Sequence, residues 1–190
     1  MQKPSGYNEV NVGDFTPIEL GGHHAIIKDV KESQTRTGKP MIIVAIDFAP
    51  NDKQPGYFMD SFEKDIRPEK KWPYQAVQYI VTVDKDNKTN RSFKGFIRAF
   101  EDSNGCEAVW GDAFCRQFKN KRIGVVYGNV EEEYNGERKM RRRIRWFCND
   151  AVAENAKVPE DKLLSNISAG KPDNNGFVNI SNDSEEEIPF

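Results

Sequence analysis

The sequence predicts a mainly β fold, five strands with one helix between the third and the fourth, and three observations carry it. The first is His23 to Glu32 (HHAIIKDVKE), an alternating stretch followed by the turn-like SQTRTGKP and by Met41 to Ala49 (MIIVAIDFA), which is apolar on both faces. Together these read as a long hairpin with a basic loop. The second is Ser92 to Gly105 (SFKGFIRAFEDSNG), where Phe93, Phe96, Ile97 and Phe100 share a helical face between a capping Ser92 and a terminating Asn104-Gly105. The third is RIGVVYGNVEEEYNGERKMRRRIRWFCN, two strand-like runs around Asn135-Gly136, the dipeptide that best marks a two-residue type I′ hairpin.

In the first strand Ile27 and Asp29 alternate against Ile26, Lys28 and Val30, as in a half-buried strand. A third strand is expected in GYFMDSF, Gly56 to Phe62. The stretch RPEKKWPYQAVQYIVTVDKDNKTNRS, broken by Pro68 and Pro73, has no clean period and reads as an excursion holding a short helical turn. A second short helix is expected at GDAFCRQF. In the last hairpin the turn fixes the register: Tyr134 faces Glu137, Glu133 faces Arg138 and Glu132 faces Lys139, the last two being opposite-charge pairs that modestly stabilise a ribbon. Continuing inward, Val130 faces Arg141, Asn129 faces Arg142, Gly128 faces Arg143 and Val126 faces Arg145, which leaves these arginines no carboxylate.

The order β-β-β-α-β-β is that of the OB-fold, a five-stranded barrel whose exposed strands and flanking loops bind oligonucleotides. An SH3-like barrel is the nearest rival. With 190 residues, 37% of them hydrophobic, the chain can hold one modest core and a sizeable polar remainder. The expected organisation is an N-terminal arm (1–20), the OB-fold domain with its helical insertion (21–150), and a flexible linker with a disordered acidic tail (151–190). There is no apolar run of membrane-spanning length, and the first residues lack the apolar core of a signal peptide, so a cytoplasmic protein with no membrane partner is expected. Cys106, Cys115 and Cys148 are odd in number and widely spaced, and read as buried reduced thiols.

The charges are unevenly distributed. From Lys171 onward one base stands against five acids, which, with a net charge of −2 for the whole chain, leaves the body mildly basic. By period two, Met140, Ile144 and Trp146 share the core side with Val125 and Tyr127, whereas Arg141, Arg143 and Arg145 line the other side beside the small Gly128. Charges on an edge strand can serve only to block aggregation. Three arginines on one face form an electropositive shelf suited to tracking phosphates. Lys28, Arg36 and Lys39 extend the basic track across the first hairpin. Of the aromatic residues, Tyr57, Trp72 and Phe147 are candidate base-stacking platforms, with core packing the competing role for each.

The chain closes on SNDSEEEIPF. Glu185, Glu186 and Glu187 oppose burial of the adjacent Ile188 and Phe190 in the protein's own core, so Glu185 to Phe190, Pro189 included, suit a partner with an apolar pocket rimmed by bases. Other chemistry finds no support. Gly38-Lys39 lacks the P-loop's leading Gly, since position 33 is Ser, and its Ser/Thr, since Pro40 follows. Neighbouring His23 and His24 point to opposite faces of a strand, and Asp84 and Asp86 form half a calcium loop without its Gly and Glu. No cofactor, no metal and no catalysis are expected.

The run from IIKDVKESQTRTGKPMIIVAIDF through KKWP, FKGFIRAFEDSNG and the YNGERK hairpin resembles small single-stranded DNA-binding proteins encoded by bacteriophages and prophages of Gram-positive bacteria. The ending EEEIPF is similar to the acidic tip of bacterial single-stranded DNA-binding proteins. The resemblance implies sequence-tolerant binding of single-stranded DNA in phage replication or recombination, inside the bacterial host, with replication and recombination proteins captured by the tip. It leaves the assembly state open, a homo-oligomer included. An adaptor acting on host replication proteins through the tip, and an RNA-binding barrel, are the alternatives.

Overall fold

The computed structural model describes residues 16–164, and these form a mainly β structure around one five-stranded antiparallel sheet. Its strands are β1 (Gly21–Gln34), β2 (Pro40–Phe48), β3 (Val77–Val81), β4 (Arg122–Tyr134) and β5 (Glu137–Cys148), in the spatial order β3-β2-β1-β4-β5. Two α-helices interrupt them, α1 (Tyr57–Glu63) between β2 and β3 and α2 (Arg91–Asn104) between β3 and β4. Short 3₁₀ turns cover Tyr74–Ala76, Cys115–Phe118 and Asp150–Asn155. No described helix is long and apolar enough to cross a membrane.

β1 changes partners along its length. Its first half, Gly21 to Ile26, pairs with β4, and Ala25 to Gln34 pairs with β2. A bulge between Ile27 and Asp29 makes Lys28 the extra residue, which bends the strand and ends the simple alternation expected there. A strand that serves two neighbours in succession coils the sheet. The coil brings Gln75, just before β3, against β4, where the Tyr127 hydroxyl donates to its carbonyl (2.8 Å). Tyr74 likewise lies under the Arg143 guanidinium of β5, 3.7 Å from the ring centroid. Helix α2 packs against β5, β4 and β3, and so underlies both outer strands. No β3–β5 ladder closes the sheet among the described residues.

Helix α2 follows its sequence pattern closely. Phe93, Phe96, Ile97 and Phe100 are all buried. Its N-cap is Asn90, whose side chain accepts from the Ser92 N–H, and it stops at Gly105. The helix face meets Phe118, fully buried and within 5.2 Å of the Phe96 ring and 4.6 Å of the Phe100 ring. Truncating a core phenylalanine of this kind costs about 3–5 kcal/mol.

The segment expected as the third strand is helix α1. Its first turn is held by a residue far away in sequence: the buried Asp47 carboxylate accepts from the Phe58 N–H (3.0 Å) as well as from Phe48 (2.9 Å). Burial raises the Asp47 pKa despite these donors. The third strand comes instead from the proline-broken excursion, where Val77 to Val81 pairs with Ala45 to Met41. GDAFCRQF yields only the 3₁₀ turn at Cys115–Phe118. The thiols also differ from expectation, since Cys106 is exposed and Cys115 and Cys148 are half-buried. Burial, with Asp150 nearby, pushes Cys148 up to about 11, so it is protonated at neutral pH.

Two histidine clusters, one buried and one partly exposed, tie the sheet to its surroundings. His23 is fully buried, stacked on Phe48 (4.2 Å), with Nε2 at the Glu19 carbonyl (2.9 Å) and Nδ1 at the Asp52 carboxylate (2.9 Å). His24 binds Asp150 (2.8 Å) and Glu154 (3.2 Å), and Asp150 also takes Arg122 (2.9 Å). These contacts fasten Asp150–Asn155 onto β1 and β4. The chain then runs on along β4, where Glu131 N–H donates to the Lys162 carbonyl (2.8 Å) and Lys162 N–H to the Asn129 carbonyl (3.0 Å).

Burial opposes charge on His24, but the Asp150 and Glu154 carboxylates outweigh it and raise its pKa. A raised histidine favours the fold below its unfolded value of about 6.5, and that contribution is lost as pH rises through the folded value. We therefore expect the stability gap between wild type and His24→Gln to be widest near pH 5.5 and to shrink steadily toward pH 8.5, as read from urea midpoints. A gap independent of pH would mean that His24 acts through packing alone.

Candidate nucleic-acid interface

The β4–β5 hairpin has the turn and register that Asn135-Gly136 dictate. Both residues have positive φ, 51° and 77°, and the pairing runs from Tyr134–Glu137 to Gly128–Arg143 as expected. Beyond that point a bulge inserts Arg145, so that Tyr127 pairs with Ile144 but Val126 pairs with Trp146, not Arg145. The one-residue slip exchanges the faces of everything after it. Phe147 enters the core, 5.2 Å from Phe96, while Trp146, expected inside, is 38% exposed. Met140, also expected inside, is 43% exposed near the turn of the hairpin, opposite Glu131.

The bulge and the local twist dismantle the arginine shelf as the sequence presented it. Arg143 does have a carboxylate: its Nε and Nη2 donate to Glu132 at 2.6 and 2.7 Å while its face covers Tyr74. Glu132 sits opposite Lys139 in the ladder, yet its carboxylate goes to Arg143, and Lys139 pairs with Glu137 (2.6 Å). Arg143 is only 14% exposed at its side chain, and a charge that deep requires an acceptor. Arg142 donates to the Ile18 carbonyl, and Arg145 to the carbonyls of Asn129 (3.3 Å) and Glu160 (2.8 Å). The space beside Gly128 is taken too, since a Cβ there would stand 2.4 Å from Pro159. Arg141 remains exposed, opposite Val130.

The remaining candidates divide. Arg36 and Lys39 are exposed in the β1–β2 turn, and Lys28 is half-buried at the β1 bulge, where its charge favours the Asp47 carboxylate. Trp72 belongs to the core: it is 9% exposed, packs on Phe62 (5.6 Å) and donates its Nε1–H to the Ile46 carbonyl (3.2 Å). Tyr57 opens α1, not a central strand, with its hydroxyl on the Thr16 carbonyl (2.8 Å) and its ring against Phe58 (5.1 Å). Burial raises its pKa although Arg142 opposes this. Phe147 is buried at 8%. The tip residues Glu185, Glu186, Glu187, Ile188, Pro189 and Phe190 lie outside the described residues.

The sequence reading missed a groove of about 260 Å³ between α2 and β5. Arg91, Ser92, Gly95 and Phe96 form its helix side, and Arg145, Trp146 and Phe147 its strand side. It joins an exposed aromatic face to two cations without a lining carboxylate. Only the bulge creates it, and a bulge leaves little trace in RRRIRWFCN.

No protein-family model matches the sequence, and no curated protein is significantly similar to it. Among the described residues no group of three or more His, Cys, Asp or Glu side chains could hold a metal ion.

Proposed function

We propose that this chain is a sequence-tolerant single-stranded DNA-binding protein of the OB type, of the phage or prophage kind that its sequence resembles, and a binder without catalysis. The observation that carries the reading is the coiled antiparallel sheet in the order β-β-α-β-α-β-β, which is the β-β-β-α-β-β order with α1 added between β2 and β3, with α2 beneath both outer strands and exposed cations on both of its long hairpins, Arg36 and Lys39 on one and Arg141 on the other. Such sheets bind oligonucleotides with strand faces and flanking loops, and cations there follow the phosphate backbone without reading bases. The structural engagement of Arg143, Arg145 and Trp72 moves the proposed contacts outward, to these exposed cations of the β1–β2 turn and of β5. The acidic tip would recruit replication or recombination proteins while the sheet stays on DNA, which raises their effective concentration there.

The test is fluorescence anisotropy with labelled dT oligomers, duplex DNA and RNA at several salt concentrations. Tight, salt-sensitive binding to dT and weak binding to duplex are expected. Each neutralised phosphate on a single strand contributes about 0.7 to the magnitude of the log–log salt slope, so Arg36→Ala, Lys39→Ala and Arg141→Ala combined should flatten it by roughly two units. Equal affinity for duplex, or an unchanged slope in the triple variant, would defeat this reading.

A further inference from the structure

We infer that the groove between α2 and β5 seats one nucleobase of a bound strand, stacked on Trp146, with the adjoining phosphate at Arg91. The inference rests on the single-strand reading above and adds a site that the usual strand-face mode does not contain. Its volume of about 260 Å³ falls just below the range of about 300–1,000 Å³ typical of sites for whole drug-sized ligands, so a single flat ring system fits its scale better than a larger molecule.

The lining fits the same occupant. Trp146 presents an open face, while Phe96 and Phe147 beneath are buried and packed edge to face at 68°, a floor that holds the site's shape. A Cβ built on Gly95 would meet nothing within 4 Å, so the helix side leaves room beside its backbone. Arg145 is anchored on the carbonyls of Asn129 and Glu160, which fixes its positive charge at the groove wall. Arg91 is exposed at the mouth, in the first turn of α2. Two cations, an aromatic face and no acid are complementary to a base with its phosphate, since stacking is tolerant of base identity and cations supply the backbone contact.

The experiment uses the full chain with fluorescein-labelled dT oligomers. Trp146→Ala is expected to weaken binding roughly tenfold, Trp146→Phe to recover most of the loss, and Arg91→Glu to weaken binding and flatten the salt slope by at least about 0.7. Trp110→Ala, which removes a tryptophan 64% exposed elsewhere, should leave affinity unchanged. Photo-crosslinking to oligomers carrying 5-iododeoxyuridine should place an adduct on Trp146, and this reports on the site even if Trp146→Ala fails to fold. Wild-type affinity in Trp146→Ala, or adducts confined to other aromatics, overturns the groove while leaving single-strand binding intact. Absence of any strand binding by the wild type defeats the functional reading and the groove with it. Protection of Trp146 by free dTMP but not by dT oligomers would assign the groove to a free nucleotide and overturn its role in strand binding.

Discussion

Asp52→Ala is expected to destabilise the protein by about 3–5 kcal/mol, because it leaves the His23 imidazole and two backbone N–H groups without their acceptor, at about 1–3 kcal/mol for each buried group left unsatisfied. His23 and Asp52 have side-chain exposures of 0% and 2%, so neither falls back on solvent when the other is lost. The carboxylate does more than face the imidazole. Its Oδ2 accepts from the His24 N–H (2.8 Å) and its Oδ1 from the Gln54 N–H (2.9 Å), and alanine would leave both donors without this acceptor. Because His23 stacks on Phe48 and meets Tyr127 edge-on, a ring that shifts to find a new acceptor would also disturb the aromatic cluster under α1. Asp52→Asn keeps an acceptor oxygen and should lose distinctly less. Burial by itself would raise the Asp52 pKa, but the bond from His23 and the two backbone donors outweigh it and hold the value low. A depressed carboxylate stabilises the fold above its unfolded value of about 3.9 and stops doing so as pH falls through the folded value. The excess loss in Asp52→Ala should accordingly narrow in acid. Urea unfolding followed by circular dichroism gives the comparison, with a lowered midpoint at unchanged slope as the expected form. A loss under about 1 kcal/mol would show that the pair is structurally neutral.

What the sequence discloses here follows from how local the causes are. Asn135-Gly136 sets the last hairpin's register within its own turn, so the pairing is legible down to Gly128 and Arg143. The helical spacing of Phe93, Phe96, Ile97 and Phe100 identifies the buried face of α2 for the same reason. The failures lie where a distant group decides. GYFMDSF suits a strand or a helix about equally, and it is Asp47 at the end of β2 that satisfies the Phe58 N–H and helps hold the helix. The bulge at Arg145 has no local mark, and it exchanges Phe147 for Trp146 and so hides the candidate groove from any period-two reading. The arginine shelf is misread because Glu132, assigned to Lys139 by register, reaches Arg143, whose partial burial makes it the more demanding partner.

Gly22→Ala should cost about 2–3 kcal/mol and loosen the segment that follows β5. A Cβ at that position would lie 1.7 Å from the Ala153 carbonyl oxygen and 2.7 Å from its carbon. These are backbone atoms, with no side-chain rotation to relieve the overlap, and forced overpacking of a tight contact typically costs about 1–3 kcal/mol. The least damaging escape is for Asp150–Asn155 to lift from β1. That movement exposes Ala153, now fully buried, and draws Asp150 away from both His24 and Arg122. The consequence separates this mechanism from a general weakening of the sheet. If the segment lifts, His24 loses the two carboxylates that raise its pKa, so adding His24→Gln to Gly22→Ala should cost little more at pH 5.5, and the pH dependence assigned to His24 should vanish. Limited trypsin digestion supplies the independent readout, with cleavage at Lys157 and Lys162 faster in Gly22→Ala than in wild type. Additive losses in the double variant with unchanged cleavage would mean that the overlap is absorbed within β1, and that the segment's hold on the sheet does not depend on the missing side chain.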